Sequence, residues 1–374
     1  MKILQLVSCR GWSSDAYWAV RMTRELERRG HEVLLGCRAG TETKVIAPAR
    51  REGVERLTTF RFVSGLGPAR DVDDVRRLAR ALADADLVHV HRGKEHWLAA
   101  VANRIGRVRR PLVRTRHIVQ AVRPHAGNRW LYEHATDLVV AVSDAIRRQY
   151  IASGLVRDAR IATVPGGADA EAFRPRPADP VVRKQLGAVA GAPLVGMVGG
   201  LRVMKGHAVV VDAAARLAER GVAPRVVFVG QGSGDERIRA LVERLGLADR
   251  VVLTGFAADL PSVMSALDVA LYVPLESEGM SRVVFEYLAA GRALVAARTG
   301  VVSEVLHDGE DALLVPAGEA GPLADAVARL IGDADLRARL GAAGRRLVEA
   351  EYSGARVAER LEAHYARLIR ERSA

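Results

Sequence analysis

Apolar residues along this chain fall in short runs, separated by stretches in which they recur every three or four positions. Short runs bounded by turn residues read as buried strands, and the wider spacing reads as amphipathic helix. In the first half the runs are Ile3–Val7, Val33–Leu35, Val54–Phe60, Leu87–Val90, Leu112–Thr115 and Leu138–Val142. The spacing predicts helices over Ala16–Arg29, Val72–Ala83, Glu95–Ile105, Arg129–His134 and Asp144–Ala152. A second series takes in Leu194–Val198, Arg225–Val229, Val251–Thr254, Val269–Val273 and Leu294–Ala297. Strands that alternate with helices imply parallel sheets covered on both faces, an α/β architecture. Helices are predicted at the end, over Leu323–Ile331, Ala334–Glu349 and Gly354–Arg372. In the last of these Val357, Leu361, Tyr365 and Leu368 share one face.

The alternation breaks once. Val164-Pro-Gly-Gly-Ala-Asp169 leads into Phe173-Arg-Pro-Arg-Pro177, a proline-rich connector. The expected division is therefore a first domain of residues 1–172 and a second of residues 173–353. At 374 residues the chain has length for two cores.

Composition narrows the class. Apolar residues make up 49% and charged residues 27%, as in a globular protein. No apolar run approaches the roughly 18 residues of a membrane span. The opening Met1-Lys2-Ile-Leu-Gln-Leu-Val reads as a first strand, too short for a signal peptide. Cys9 and Cys37 lie at the ends of the first two predicted strands and read as buried thiols in a reducing, cytoplasmic setting. No metal-ligand spacing is present, and Asp84–Asp86 reads as a helix end. Charge is uneven: residues 1–170 hold 30 of the 56 Lys+Arg but 18 of the 44 Asp+Glu, which accounts for the whole net charge of +12. A basic first half suits an anionic membrane or acceptor, or is solvated arginine. Aromatics at 5%, without a recognition motif, point away from nucleic acid.

The stretch Pro274–Glu304 carries the clearest chemistry. It follows an apolar strand, passes Glu276, Glu278 and Gly279, and enters a helix closed by Gly291. The backbone N–H groups of Gly279, Met280 and Ser281 stand at the helix start and suit a diphosphate. Glu286, within that helix, can accept hydrogen bonds from two neighbouring hydroxyls. Glu278 can hold hydroxyls at the other end of the same ligand. The competing reading is a solvated acidic loop with Glu286 paired to Arg282, one turn back. Further upstream, Gly199-Gly-Leu-Arg-Val-Met-Lys-Gly-His207 is a glycine turn before a helix, with Lys205 adding positive charge. Gly230 and Gly232 end another strand, and Gly255-Phe256 ends a third.

Pro274–Glu304, continuing through Asp308-Gly309 and Leu313-Leu314-Val315, resembles the donor-site signature of the retaining family-4 glycosyltransferases. Those proteins have the GT-B fold, two Rossmann-like domains facing across a cleft, with a C-terminal helix returning to the first. The resemblance implies that Glu278 contacts the donor sugar and Glu286 the ribose. It implies diphosphate binding by Lys205. The family's motif arginine is replaced by Gly200, and Arg202 is the candidate substitute. Gly230 and Phe256 would line the nucleotide pocket. In the first half the resemblance singles out His117 as a donor contact beside Arg114 and Arg116. Gly11, His91, Arg92 and Arg116 are placed on the acceptor side. The implied reaction is metal-independent, retaining sugar transfer from a nucleotide-diphosphate sugar, UDP-sugar favoured, to a cell-envelope glycan or lipid-linked acceptor. No cofactor is implied beyond that co-substrate. An anionic membrane surface is a further expected partner, with a peripheral position at the inner face of the plasma membrane. A nucleotide-sugar epimerase and a non-catalytic binding module remain the alternatives.

Overall fold

The computed structural model describes residues 1–277 and 279–373 and contains two compact α/β units. The first comprises Met1–Gly166 together with the terminal helix Gly354–Ser373. The second comprises Gly167–Ser353. This division lies six residues before the break expected from the prolines. Ala168 is tied to the second unit by its N–H, which donates to Tyr352 O at 2.9 Å, and it packs in that unit's core with Phe173.

The first unit has seven strands, β1 (Lys2–Val7), β2 (Glu32–Arg38), β3 (Leu57–Phe60), β4 (Leu87–Val90), β5 (Leu112–Arg116), β6 (Leu138–Ala141) and β7 (Ile161–Thr163). They form one parallel sheet in the order β3-β2-β1-β4-β5-β6-β7. The chain winds outward from β1 in both directions, so the point of reversal lies between β1 and β4. In such sheets ligands bind outside the carboxyl ends of the strands near that reversal. The third strand begins at Leu57, not Val54, because Gly53 takes a left-handed φ of +89° and closes the preceding helical turn. β7 is three residues long, too short to show a period, and the helical segment Glu42–Arg51 is a π-helical turn running into a five-residue helix with Pro48 in its first turn, which hides it in the sequence. The predicted helix at Arg129–His134 is a short helix, Ala126–Arg129, followed by a π-turn, Trp130–Ala135.

The terminal helix packs on the first unit through its apolar face. Val357, Leu361 and Tyr365 are fully buried. Its polar edge adds Glu362, paired with Arg29, and Arg372, 2.9 Å from Asp137.

The second unit has six strands, β8 (Leu194–Val198), β9 (Arg225–Val229), β10 (Val251–Gly255), β11 (Val269–Tyr272), β12 (Ala293–Ala297) and β13 (Leu313–Val315). They are parallel, in the order β10-β9-β8-β11-β12-β13. Alternate residues of one strand enter different cores. Val195 and Met197 of β8 pack in one cluster and Leu194 in another; Val269 and Leu271 of β11 pack in the first, Ala270 and Tyr272 in the second. That is why these strands are apolar without alternation: helices cover both faces. Among the described residues no helix is long and apolar enough to cross a membrane.

Candidate functional site

In the second unit three turns at the carboxyl ends of β8, β9 and β10 are laced together by backbone. Gly199 N–H donates to Val229 O at 2.9 Å, and Gly230 N–H donates to Gly255 O at 2.8 Å. The approach needs glycine: a Cβ on Gly230 would stand 2.0 Å from Gly199 O, where φ is +153°. Gly200 lies in the same turn, where a Cβ would come 3.3 Å from Gln231 O. After it a short 3-10 turn, Val203–Lys205, ends at Gly206 and opens the helix His207–Glu219. The Lys205 ammonium lies over Gly199, 4.0 Å from the point a Cβ there would occupy. His207, buried in the first turn of that helix, is held neutral, its pKa lowered to about 4 by burial and by Lys205. Arg202 is exposed on the turn, and Phe256, directly after β10, is 78% exposed.

The site helix, Arg282–Ala289, follows β11. Tyr287 ties it to the glycine turns, because the Val198 N–H donates to its hydroxyl at 2.6 Å. Ser281 precedes the helix in a left-handed conformation, φ 48°, with its hydroxyl 2.5 Å from that of Tyr272. A non-glycine residue held there is a strained backbone position, and such positions cluster at functional sites. Met280 is buried, and Gly279 N–H reaches Ser277 Oγ at 3.5 Å. Glu286 is buried, with Oε1 3.2 Å from Arg282 Nε. The pairing one turn back is thus present, and any ribose contact must be made alongside it. Glu278, the expected sugar contact, lies outside the described residues.

In the first unit the carboxyl ends of β4 and β5 bring three histidines together. His89 is locked, with Nδ1 2.5 Å from the Tyr365 hydroxyl and Nε2 2.6 Å from Thr115 Oγ1. His91 Nδ1 and His117 Nε2 are 3.1 Å apart. Trp18 sets an edge against all three rings, at centroid distances of 5.8, 5.3 and 5.5 Å. Burial pushes each imidazole below its ordinary pKa, His117 to about 3, and neighbouring Arg114 adds to the shift in all three. The pair is therefore neutral at pH 7, one ring donating and the other accepting.

Two members of this cluster escaped sequence reasoning. Glu95, in the helix Gly93–Ile105, is fully buried and accepts the Arg92 N–H at 2.6 Å and the Ser8 N–H at 3.3 Å. In the sequence Tyr365 shows only as part of an apolar stripe, whereas its hydroxyl bonds His89 Nδ1. Arg114 is 2% exposed, and its Nε and Nη1 are buried without a hydrogen-bond partner. Arg116 donates to Gln120 O at 2.8 Å. Arg92 pairs with Asp15 at 3.0 Å beside Gly11. Asp169 caps the turn after it, accepting from Glu171 and Ala172 N–H at 3.1 Å. Among the described residues no group of three or more His, Cys, Asp and Glu could hold a metal. Both cysteines are free and buried, and burial raises each thiol to about 12.

Two Rossmann-like units with laced glycine turns at the carboxyl ends of the second sheet define a glycosyltransferase of the GT-B fold. Residues 179–347 match the family of glycosyl transferases group 1, and residues 16–172 match glycosyltransferase family 4. The chain is 32% identical over 362 residues to the D-inositol 3-phosphate glycosyltransferase of Nocardia farcinica, covering 87% of this chain and 78% of that one. It belongs to this glycosyltransferase family. Its fold matches a glycosyltransferase from Rickettsia africae, with a TM-score of 0.88, 18% identity and 98% of both chains covered. It also matches Anabaena HepE in complex with UDP, with a TM-score of 0.83, 23% identity and coverage of 98% and 100%.

Proposed function

We propose that the chain transfers a sugar from a nucleotide-diphosphate donor to an acceptor hydroxyl, with retention at the anomeric carbon. The observation that carries this reading is the juxtaposition of Lys205 with the laced turns at Gly199 and Gly230. Backbone N–H groups and a cation in a fixed frame stabilise the negative charge that develops on a leaving diphosphate as the glycosidic bond breaks. Glu286, beside Arg282, is the candidate ribose contact, and Glu278 the candidate sugar contact. No step of this scheme calls on a metal, since Lys205 and the amides supply the positive charge. The HepE complex supports UDP as the first nucleotide to try. The acceptor is read as a cell-envelope glycan or lipid-linked precursor, met by the basic first unit at the inner membrane face.

A donor screen tests the reading: UDP-, GDP- and ADP-sugars, scored by thermal shift and by release of the nucleoside diphosphate. No shift with any of them overturns it. Product sugar of retained configuration, formed in chelator-treated buffer, is the expected result. Gly200, standing where the family has arginine, favours a second reading, a donor-binding protein without turnover. Donor binding with no transfer to any acceptor pool would select it.

A further inference from the structure

Arg10, Arg38 and Ser64 stand at or beyond the carboxyl ends of three adjacent strands: Arg10 follows β1, Arg38 ends β2 and Ser64 follows β3. Both guanidiniums donate to one hydroxyl. Arg38 Nη1 is 3.1 Å from Ser64 Oγ, and Arg10 Nη2 bonds the same oxygen. Neighbouring cations are neutralised differently: Arg92 pairs with Asp15, Lys94 with Asp71 and Arg61 with Asp73. Among the described residues no carboxylate pairs with Arg10 or Arg38. Two like charges therefore share one neutral oxygen, an arrangement that favours an anion between them. The hydroxyl adds a third donor. A serine oxygen has two lone pairs, and both are taken by guanidinium N–H groups, so its proton is left to donate outward.

The loop that presents Ser64 is held in place. Asp74, fully buried, accepts the N–H of Arg61 and of Phe62, each at 2.8 Å. Phe62 is fully buried with a left-handed φ of 38°. Such a conformation persists only where the surroundings enforce it. Arg10 also lines an open cavity of about 480 Å³ with Gly11, Trp12, Ser13 and Arg92. The feature lies at the carboxyl ends of the strands, and its Arg10 follows β1, which flanks the reversal where a ligand is expected.

We infer that this end of the first unit binds an oxyanion, and that the acceptor carries a phosphate monoester or diester gripped by Arg10, Arg38 and Ser64. Calling the ligand an acceptor rests on the transfer reading above; the anion site itself does not.

Trp12 supplies the readout. Tryptophan fluorescence is titrated with glucose 6-phosphate, with inorganic phosphate and with glucose, and Trp12→Phe assigns the signal. The phosphate compounds should change the emission saturably and glucose should not. Arg10→Gln and Arg38→Gln should each weaken glucose 6-phosphate binding roughly tenfold or more. Both side chains lie at the surface, so unchanged melting and an unchanged UDP thermal shift verify the fold. Glucose binding as well as glucose 6-phosphate, or both variants staying within twofold of wild type, overturns the inference. A second arm uses phosphatidylinositol vesicles against phosphatidylcholine vesicles. Selective retention by the former, lost in the double variant, makes the source of the phosphate a lipid headgroup; response to the soluble sugar phosphate alone makes it a free one. A wild-type protein that binds phosphate but shows no shift with any UDP-, GDP- or ADP-sugar defeats the transfer reading and leaves the anion site standing.

Discussion

His91 Nδ1 and His117 Nε2 lie 3.1 Å apart, each ring buried and each packed against Trp18. With both imidazoles neutral, one proton serves the contact, and each ring fixes the other's tautomer. The two residues should therefore be coupled. In a double-mutant cycle built from His91→Ala and His117→Ala, urea midpoints should give an interaction of about 0.5–2 kcal/mol. Additive losses would mean that the rings are neighbours without a bond.

The same cluster sets a pH dependence. His89, His91, His96 and His117 all titrate below the ordinary 6.5 in the folded chain, burial being the first cause in each. The unfolded chain takes up these protons first as pH falls through 6.5, so acid favours unfolding. Stability should be fully present above about pH 7 and fall towards pH 5, each histidine adding up to ~1.4 kcal/mol per pH unit. Buried Glu95 has a raised pKa and acts in the opposite sense, its contribution being regained as pH falls from that raised pKa towards 4.5. Denaturant midpoints at pH 7.5 and 5.5 decide the matter, and equal values would contradict the assignment.

Gly206 separates Lys205 from the helix it introduces. Its φ is +80°, and a Cβ there would stand 2.0 Å from Val273 O, a backbone atom that cannot swing away. Gly206→Ala should cost about 2–4 kcal/mol and abolish the donor-induced thermal shift. Gly221 has a similar φ of +74° but open space around it. Gly221→Ala should cost about 1 kcal/mol or less and keep the shift. Equal losses at both positions would mean that conformation alone, and not the contact with Val273, governs the first.

Lys205→Ala should lower kcat/KM by roughly a hundredfold while the protein melts as wild type. Lys205→Arg should recover part of that loss, because a cation remains. Activity of the alanine variant within threefold of wild type would remove Lys205 from the diphosphate.

The second sheet was legible because burial on both faces left unbroken runs such as Leu194–Val198 and Val269–Tyr272. The edge strands Ile161–Thr163 and Leu313–Val315 were not recognised as strands, since three residues carry no period. The Arg282–Glu286 spacing could be read directly, because residues four apart meet on a helix. The meeting of Arg10, Arg38 and Ser64 could not, since they come from the ends of three strands that only the parallel sheet aligns. Nor could the partner of His89, which lies 276 positions away in Tyr365.

That last separation bears on how the polypeptide matures. The helix Gly354–Ser373 leaves the ribosome after the whole of the second unit has been made. Until then the centre of the first sheet lacks Tyr365, and the groove along the helix Ser14–Arg28 stays uncovered. Nascent chains should thus finish the unit synthesised later before the one begun earlier, and premature termination ahead of Gly354 should yield a protease-resistant carboxyl half beside a sticky, chaperone-dependent amino half.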